Sequence, residues 1–125
     1  MEELMELGNE VRDQLSSLIM EKEDTACKML AALELTKFSI PMDTEDMTFY
    51  DDGDEYLVEF GVNKEGFAFV TDEGDLMSAT LFADTVEDLQ RIFKYAQLLD
   101  AALKEEVKKR ASEWSTLLEE LNNEK

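Results

Sequence analysis

The sequence predicts an α+β domain: a long N-terminal helix, a four- to five-stranded antiparallel β-meander and a long C-terminal helix. Three observations predict it. Between Met47 and Ala83, three turns of one design separate runs rich in β-branched and aromatic residues: Asp51-Asp52-Gly53, Lys64-Glu65-Gly66 and Asp72-Glu73-Gly74. In a three-residue hairpin loop the first two residues make a type I turn and the third needs φ > 0, which suits glycine. Before this region apolar residues recur in steps of three and four, and after it they follow a heptad.

The first helix is expected over residues 2–35. Leu4, Leu7, Val11, Leu15, Leu18, Ala26, Met29 and Leu33 form one stripe, which Lys22 interrupts. Asp24 before Thr25-Ala26-Cys27 offers a start for a separate second helix, but the stripe favours continuity. Residues 36–42 alternate, with Phe38, Ile40 and Met42 on one side, and Pro41 restricts them to an edge strand or an extended arm because it lacks an N–H. Residues 47–50 make a short strand. Over residues 55–62, Tyr56, Val58, Phe60 and Val62 share an apolar face, with Leu57 and Gly61 on the other. Phe67, Ala68, Phe69 and Val70 are apolar without alternation, as in a central strand covered on both sides. The last strand is expected over residues 76–83.

Asp84 or Thr85 caps the final helix, with Glu87 and Asp88 in its first turn, where the helix dipole favours acids. The helix should run from Val86 to near Asn122. Val86, Phe93, Val107, Trp114 and Leu121 occupy one heptad position and Leu89, Ala96, Leu103 and Leu117 the other, with Asp100 and Arg110 as polar exceptions. Such a helix is about 55 Å long, whereas an eight-residue strand covers about 26 Å. Its far end, with Trp114, Leu117, Leu118 and Leu121, therefore needs the first helix or a second copy as cover. A homodimer through Val107, Trp114, Leu117 and Leu121 is the corresponding expectation.

The 125 residues, 44% hydrophobic and free of any proline- or glycine-rich linker, are expected to form one domain over 1–125. Within it the helix covers 1–35, the meander 36–83 and the second helix 84–123. The acidic start is unlike a secretory signal, and no apolar run approaches the roughly 18 residues of a membrane span. With one cysteine, Cys27, read as an apolar thiol in the core, the cytoplasm is the expected compartment, a host's cytoplasm if the gene belongs to a phage. Thirty-one acids against twelve bases give a net charge of −19. From Asp43 to Asp88 fifteen acids face only Lys64, whereas Leu89 to Ser112 holds six bases and three acids. Such a field repels nucleic acid and anionic membranes and attracts basic partners.

Histidine is absent, which removes the usual general base, the usual transition-metal ligand and every Ser-His or Cys-His pair. Phosphate loops, dinucleotide fingerprints and CxxC pairs are absent as well, so no catalytic residue, metal or cofactor is expected. Two acidic clusters remain, Asp51, Asp52, Asp54 and Glu55, and Asp72, Glu73 and Asp75. Alternate turns of a meander share one end of the sheet, so these seven carboxylates should converge while the Lys64 turn lies opposite. Three readings compete: ordinary solvated turns, a hard-cation site, although the spacing is not that of an EF-hand, and a surface matching a basic groove. Ordinary turn chemistry explains the position of these acids but not their excess, which the last reading accounts for, and the alternatives stay open at this point. Arg91, Lys94, Lys104, Lys108, Lys109 and Arg110 are expected to pair with helix acids, as Glu105 can with Lys109, or with the first helix. Met5, Met20, Met29, Met42, Met47 and Met77 are scattered as core filling.

In size and acidity the chain resembles the DNA-mimic anti-restriction and anti-CRISPR proteins of bacteriophages. That likeness is one of composition and transfers no functional residue. It implies a non-catalytic inhibitor that occupies the basic nucleic-acid channel of a DNA- or RNA-processing defence enzyme. The partner would be that basic surface, without direct contact to nucleic acid or membrane. Type III secretion chaperones are similar in size and charge, though this sequence lacks the helix that they insert in mid-sheet. They imply the alternative, a dimeric chaperone or assembly adaptor for a protein client. A surface adapted to high salt would spread its acids evenly, whereas here they gather in the meander.

Overall fold

A computed structural model describes residues 1–43 and 56–124. The chain forms α1 (Glu2–Ala32), β1 (Lys37–Pro41), β2 (Leu57–Asn63), β3 (Gly66–Thr71), β4 (Leu76–Ser78), a 3-10 helix (Ala79–Phe82) and α2 (Val86–Asn123). This is the expected α+β order of long helix, antiparallel sheet and long helix. The expected strand at 47–50 and the Asp51-Asp52-Gly53 turn lie outside the described residues.

Helix α1 is unbroken through Glu21–Asp24 but ends at Ala32, short of the expected Leu35. It closes without glycine: Glu34 takes φ 59°, and Leu35 N–H and Glu34 N–H donate to the Leu30 and Ala31 carbonyls, each at 3.0 Å. A left-handed residue at this place in a helix end is ordinarily glycine. Glu34→Gly is therefore expected to raise stability by about 1 kcal/mol, read as a higher urea midpoint at unchanged slope. Helix α2 is capped by Thr85, whose side chain accepts the Asp88 N–H.

The four strands lie in the order β1-β2-β3-β4, all antiparallel, with Pro41 on an edge strand as its missing donor requires. Gly66 (φ 121°) and Gly74 (φ 90°) close the two described hairpins in the conformation expected of them. The alternation expected along residues 55–62 breaks. Leu57 pairs with Thr71 and Glu59 with Val70, so β2 spends one extra residue there. This bulge turns Leu57 as well as Phe60 into the core and leaves Tyr56 half-exposed. The last strand stops at Ser78 rather than Ala83. A 3-10 turn brings residues three apart onto one side, so Ala79 and Phe82 both face inward, with Phe82 edge-on to Phe69 at 5.2 Å.

Both helices pack on one face of the sheet, over Phe60, Val62, Phe67 and Phe69. Among the described residues the other face, with Ser39, Glu59, Gly61, Ala68, Val70 and Leu76, has no helix on it and forms a groove of about 480 Å³. The central strand is thus not covered on both sides by helices. Ala68 is nonetheless 7% exposed, because its small side chain sits between Gly61 and Ser78 of the flanking strands. The buried face of α2 comprises Leu89, Ile92, Tyr95, Ala96, Leu99, Asp100 and Leu103. That is wider than the expected heptad seam and leaves Val86 and Phe93 only partly covered, since α2 packs against α1 and the sheet together. On α1 the buried residues are Ala26 and Leu30, joined by Ile19, Cys27 and Met29 at the margin of the core.

Ile19 and Met20 share a cleft with Ala79, Ala83, Leu89 and Ile92, and further along both helices Lys22 Nζ lies 3.9 Å from Asp100 Oδ2. The helices therefore run in the same direction. α1 leads into one edge strand and α2 emerges from the other, so the start of α1 and the end of α2 project beyond opposite edges.

Candidate functional site at the acidic end of the sheet

The β3–β4 turn is held from within. Gly74 N–H donates to the Thr71 carbonyl and Thr71 N–H to the Asp75 carbonyl, both at 2.9 Å, and Asp75 N–H donates to Thr71 Oγ1 at 3.1 Å. Thr71 is itself buried. The start of β2 is tied to the same turn: Tyr56 N–H donates to Asp72 Oδ1 at 3.1 Å, and Asp72 N–H to the Tyr56 carbonyl at 2.8 Å. Asp72, Glu73 and Asp75 are exposed, and among the described residues none of the three pairs with a cation. Asp51, Asp52, Asp54 and Glu55 lie outside the described residues; the first described residue after them, Tyr56, is the one bonded to Asp72.

The cations of α2 are differently placed. Arg91 meets Glu87 at 3.2 Å, Lys104 meets Asp100 at 2.8 Å, Lys108 meets Glu105 at 3.5 Å and Arg110 meets Glu106 at 3.4 Å. Glu105 is thus met by Lys108 rather than by Lys109. Lys94 reaches Asp43 at 3.6 Å and lies over the Tyr95 ring. The ion pair between the helices uses Lys22, the residue that interrupts the α1 stripe, together with Asp100, a polar exception in the heptad. The Lys22 break in the α1 stripe and the Asp100 exception in the α2 heptad thus meet, with Lys104 nearer to the same Asp100 oxygen.

Sequence reasoning missed Glu23. Its Oε2 accepts the Phe67 N–H at 2.9 Å, and a Cβ on Gly66 would lie 2.5 Å from the same oxygen. The helix carboxylate thereby caps the Lys64-Glu65 hairpin, and glycine leaves the room it needs. The available signal is Glu23 standing one turn before Ala26 and Cys27 on the core side of α1.

Of the expected oligomerisation residues, Val107 packs at the margin of the chain's own core, while Trp114, Leu117 and Leu121 are 47%, 50% and 53% exposed. Cys27 is partly buried, its Sγ donating to the Asn63 carbonyl at 3.6 Å. Burial first, then the charges of Glu23 and Asp24, push its thiol pKa up. The thiolate, the reactive form, is correspondingly scarcer. At pH 8 the folded chain should react with a disulfide reagent more slowly than the chain in urea, followed by release of the reagent's thiolate. Equal rates would remove this account.

Among the described residues no group of three or more His, Cys, Asp or Glu is arranged to hold a metal ion, and no helix is long and apolar enough to cross a membrane. The sequence matches no protein-family model, and comparison with curated proteins and with solved structures gives no match.

Proposed function

We propose that this chain is a non-catalytic binding protein whose acidic sheet end enters the basic nucleic-acid groove of a DNA- or RNA-processing protein and occupies it. One contrast supports the reading. Arg91, Lys104, Lys108 and Arg110 of α2 are matched by neighbouring acids, while among the described residues Asp72, Glu73 and Asp75 meet no cation and stand on a turn held by its own hydrogen bonds. Carboxylates carried on a turn whose backbone is already hydrogen-bonded give a partner's arginines and lysines an array with less backbone ordering left to do on binding. Asp51, Asp52, Asp54 and Glu55 add four charges to the same reading from sequence alone.

The reading is tested by immobilising the full chain, capturing proteins from the source cell or its host and challenging the complexes with duplex DNA and with RNA. A nucleic-acid-binding protein released by one of these competitors is the expected result. Captured proteins that neither bind nucleic acid nor yield to it would overturn the mimic reading.

A further inference from the structure

The cleft shared by Ile19, Met20, Ala79, Ala83, Leu89 and Ile92 holds about 220 Å³, where α1, the 3-10 turn and α2 come together. Phe67 contributes to its wall. The room comes from two small residues, since Ala79 and Ala83 offer only methyl groups opposite the larger side chains of the helices. Leu89 and Ile92 are 4% and 1% exposed, whereas Met20, at 67%, stands at the mouth.

Polar groups on this lining are few. Ser16 and Thr80 bring hydroxyls, and the Thr80 hydroxyl lies 2.9 Å from that of Ser78. Glu23 is the one charged residue among those that line it. Its Oε2 accepts the Phe67 N–H at 2.9 Å, and among the described residues no lysine or arginine pairs with the carboxylate. Lys22, next to it in sequence, reaches instead toward Asp100. Beyond Met20 and Glu23 the cleft adjoins a hollow in which Asp24 and Glu65 accompany Glu23 and outnumber Lys64. An apolar chamber thus ends on an acidic side.

We propose that this cleft binds a small arylalkylamine, its ring among the apolar side chains and its ammonium group at the Glu23 carboxylate. Size, lining and charge each favour that chemistry. An apolar cavity of about 150 Å³ holds benzene, so this one admits a single ring with a short chain. A methionine at the mouth suits an aromatic occupant, because its thioether is adaptable and makes favourable contacts at ring edges. The carboxylate attracts a cation and repels an anion, while a neutral molecule of the same shape gains the apolar contacts alone. Glu23 need not release the Phe67 N–H to do this, since an ionised carboxylate has about four acceptor positions. The net charge of −19 enriches cations around the whole chain, but only this cleft joins a carboxylate to apolar cover among the features described above. Phe67 stands near the start of β3 and the Asp72 turn follows its end, so the two sites are separate.

Titration of phenethylammonium into the full chain near neutral pH, followed by the methyl resonances of Ile19, Leu89 and Ile92, tests this. Phenethyl alcohol and hydrocinnamate serve as neutral and anionic probes of like shape. The expected result is saturable shifts at these methyls, with the ammonium compound tightest and hydrocinnamate weakest. Glu23→Gln keeps an oxygen for the Phe67 N–H and removes the charge. It should weaken phenethylammonium roughly fivefold and leave phenethyl alcohol unchanged. Ala83→Leu fills the cleft and should abolish binding of both, with circular dichroism reporting the fold; if this variant does not fold, the Glu23→Gln comparison decides alone. Four outcomes would each overturn the proposal: no methyl shift at millimolar phenethylammonium, hydrocinnamate binding as tightly, Glu23→Gln leaving the ammonium compound's affinity unchanged, or undiminished binding by a folded Ala83→Leu. The partner reading above is independent of the result.

Discussion

Phe60→Ala should remove about 4 kcal/mol of folding stability, a large part of the roughly 5–15 kcal/mol that holds a domain of this size. Phe60 is 0% exposed, and its ring centre lies 5.1 Å from Phe67, 5.2 Å from Phe69 and 6.1 Å from Tyr95. Tyr95 carries the contact further, since its hydroxyl accepts the Asp43 N–H at 3.1 Å and so ties α2 to the end of β1. Truncating Phe60 opens a cavity where sheet and helix meet, and the surrounding strands cannot close it without losing their register. Phe60→Leu keeps most of the volume and should cost about a third as much. Urea unfolding reads both: the midpoint falls while the slope stays. A loss below about 1 kcal/mol for Phe60→Ala would mean that this aromatic cluster does not join the layers.

Glycine makes the turns of this chain legible, because Gly66 and Gly74 stand where other residues are strained. The proline makes the edge strand legible for the converse reason, a missing donor. Helix length is legible too, except at the end of α1, where Glu34 adopts a left-handed conformation that its residue type does not advertise. The bulge at Val58 leaves no mark in the apolar alternation, since Leu57 and Val58 are both apolar and either could face inward. The 3-10 turn at Ala79–Phe82 is equally silent: Ala79, Leu81 and Ala83 read as a strand face until Phe82 is seen against Phe69.

The same division holds for the site. That Asp72, Glu73 and Asp75 share one exposed turn follows from the glycine among them, and the structure places them there. That Asp72 also receives the Tyr56 N–H does not follow, because it depends on how β2 is entered, across 16 residues of sequence. The bond between Glu23 and Phe67 spans 44 residues and is out of reach for the same reason. Charge composition shows an excess of acid in the meander, while the geometry adds that the turn carrying Asp72, Glu73 and Asp75 is hydrogen-bonded and that Arg91, Lys104, Lys108 and Arg110 are already matched.

Neutralising the described cluster by Asp72→Asn, Glu73→Gln and Asp75→Asn together should slow association with the captured partner by roughly tenfold at low salt. Each replacement keeps the shape of the side chain and removes its charge. The amide introduced by Asp72→Asn retains an oxygen for the Tyr56 N–H, and the bonds from Thr71 to the Asp75 backbone do not involve the Asp75 carboxylate. The turn and the melting temperature should therefore persist, separating binding from folding. Salt provides the second axis, because at about 1 M the Debye length shrinks to about 3 Å and steering is lost. The association rates of wild type and triple variant should converge there. The corresponding change at Asp51, Asp52 and Asp54 to Asn is expected to act in the same direction. Stopped-flow measurements across a salt series decide: a folded triple variant that associates as fast as wild type at low salt would remove Asp72, Glu73 and Asp75 from the binding face, and salt-independent rates for both would remove electrostatic mimicry altogether.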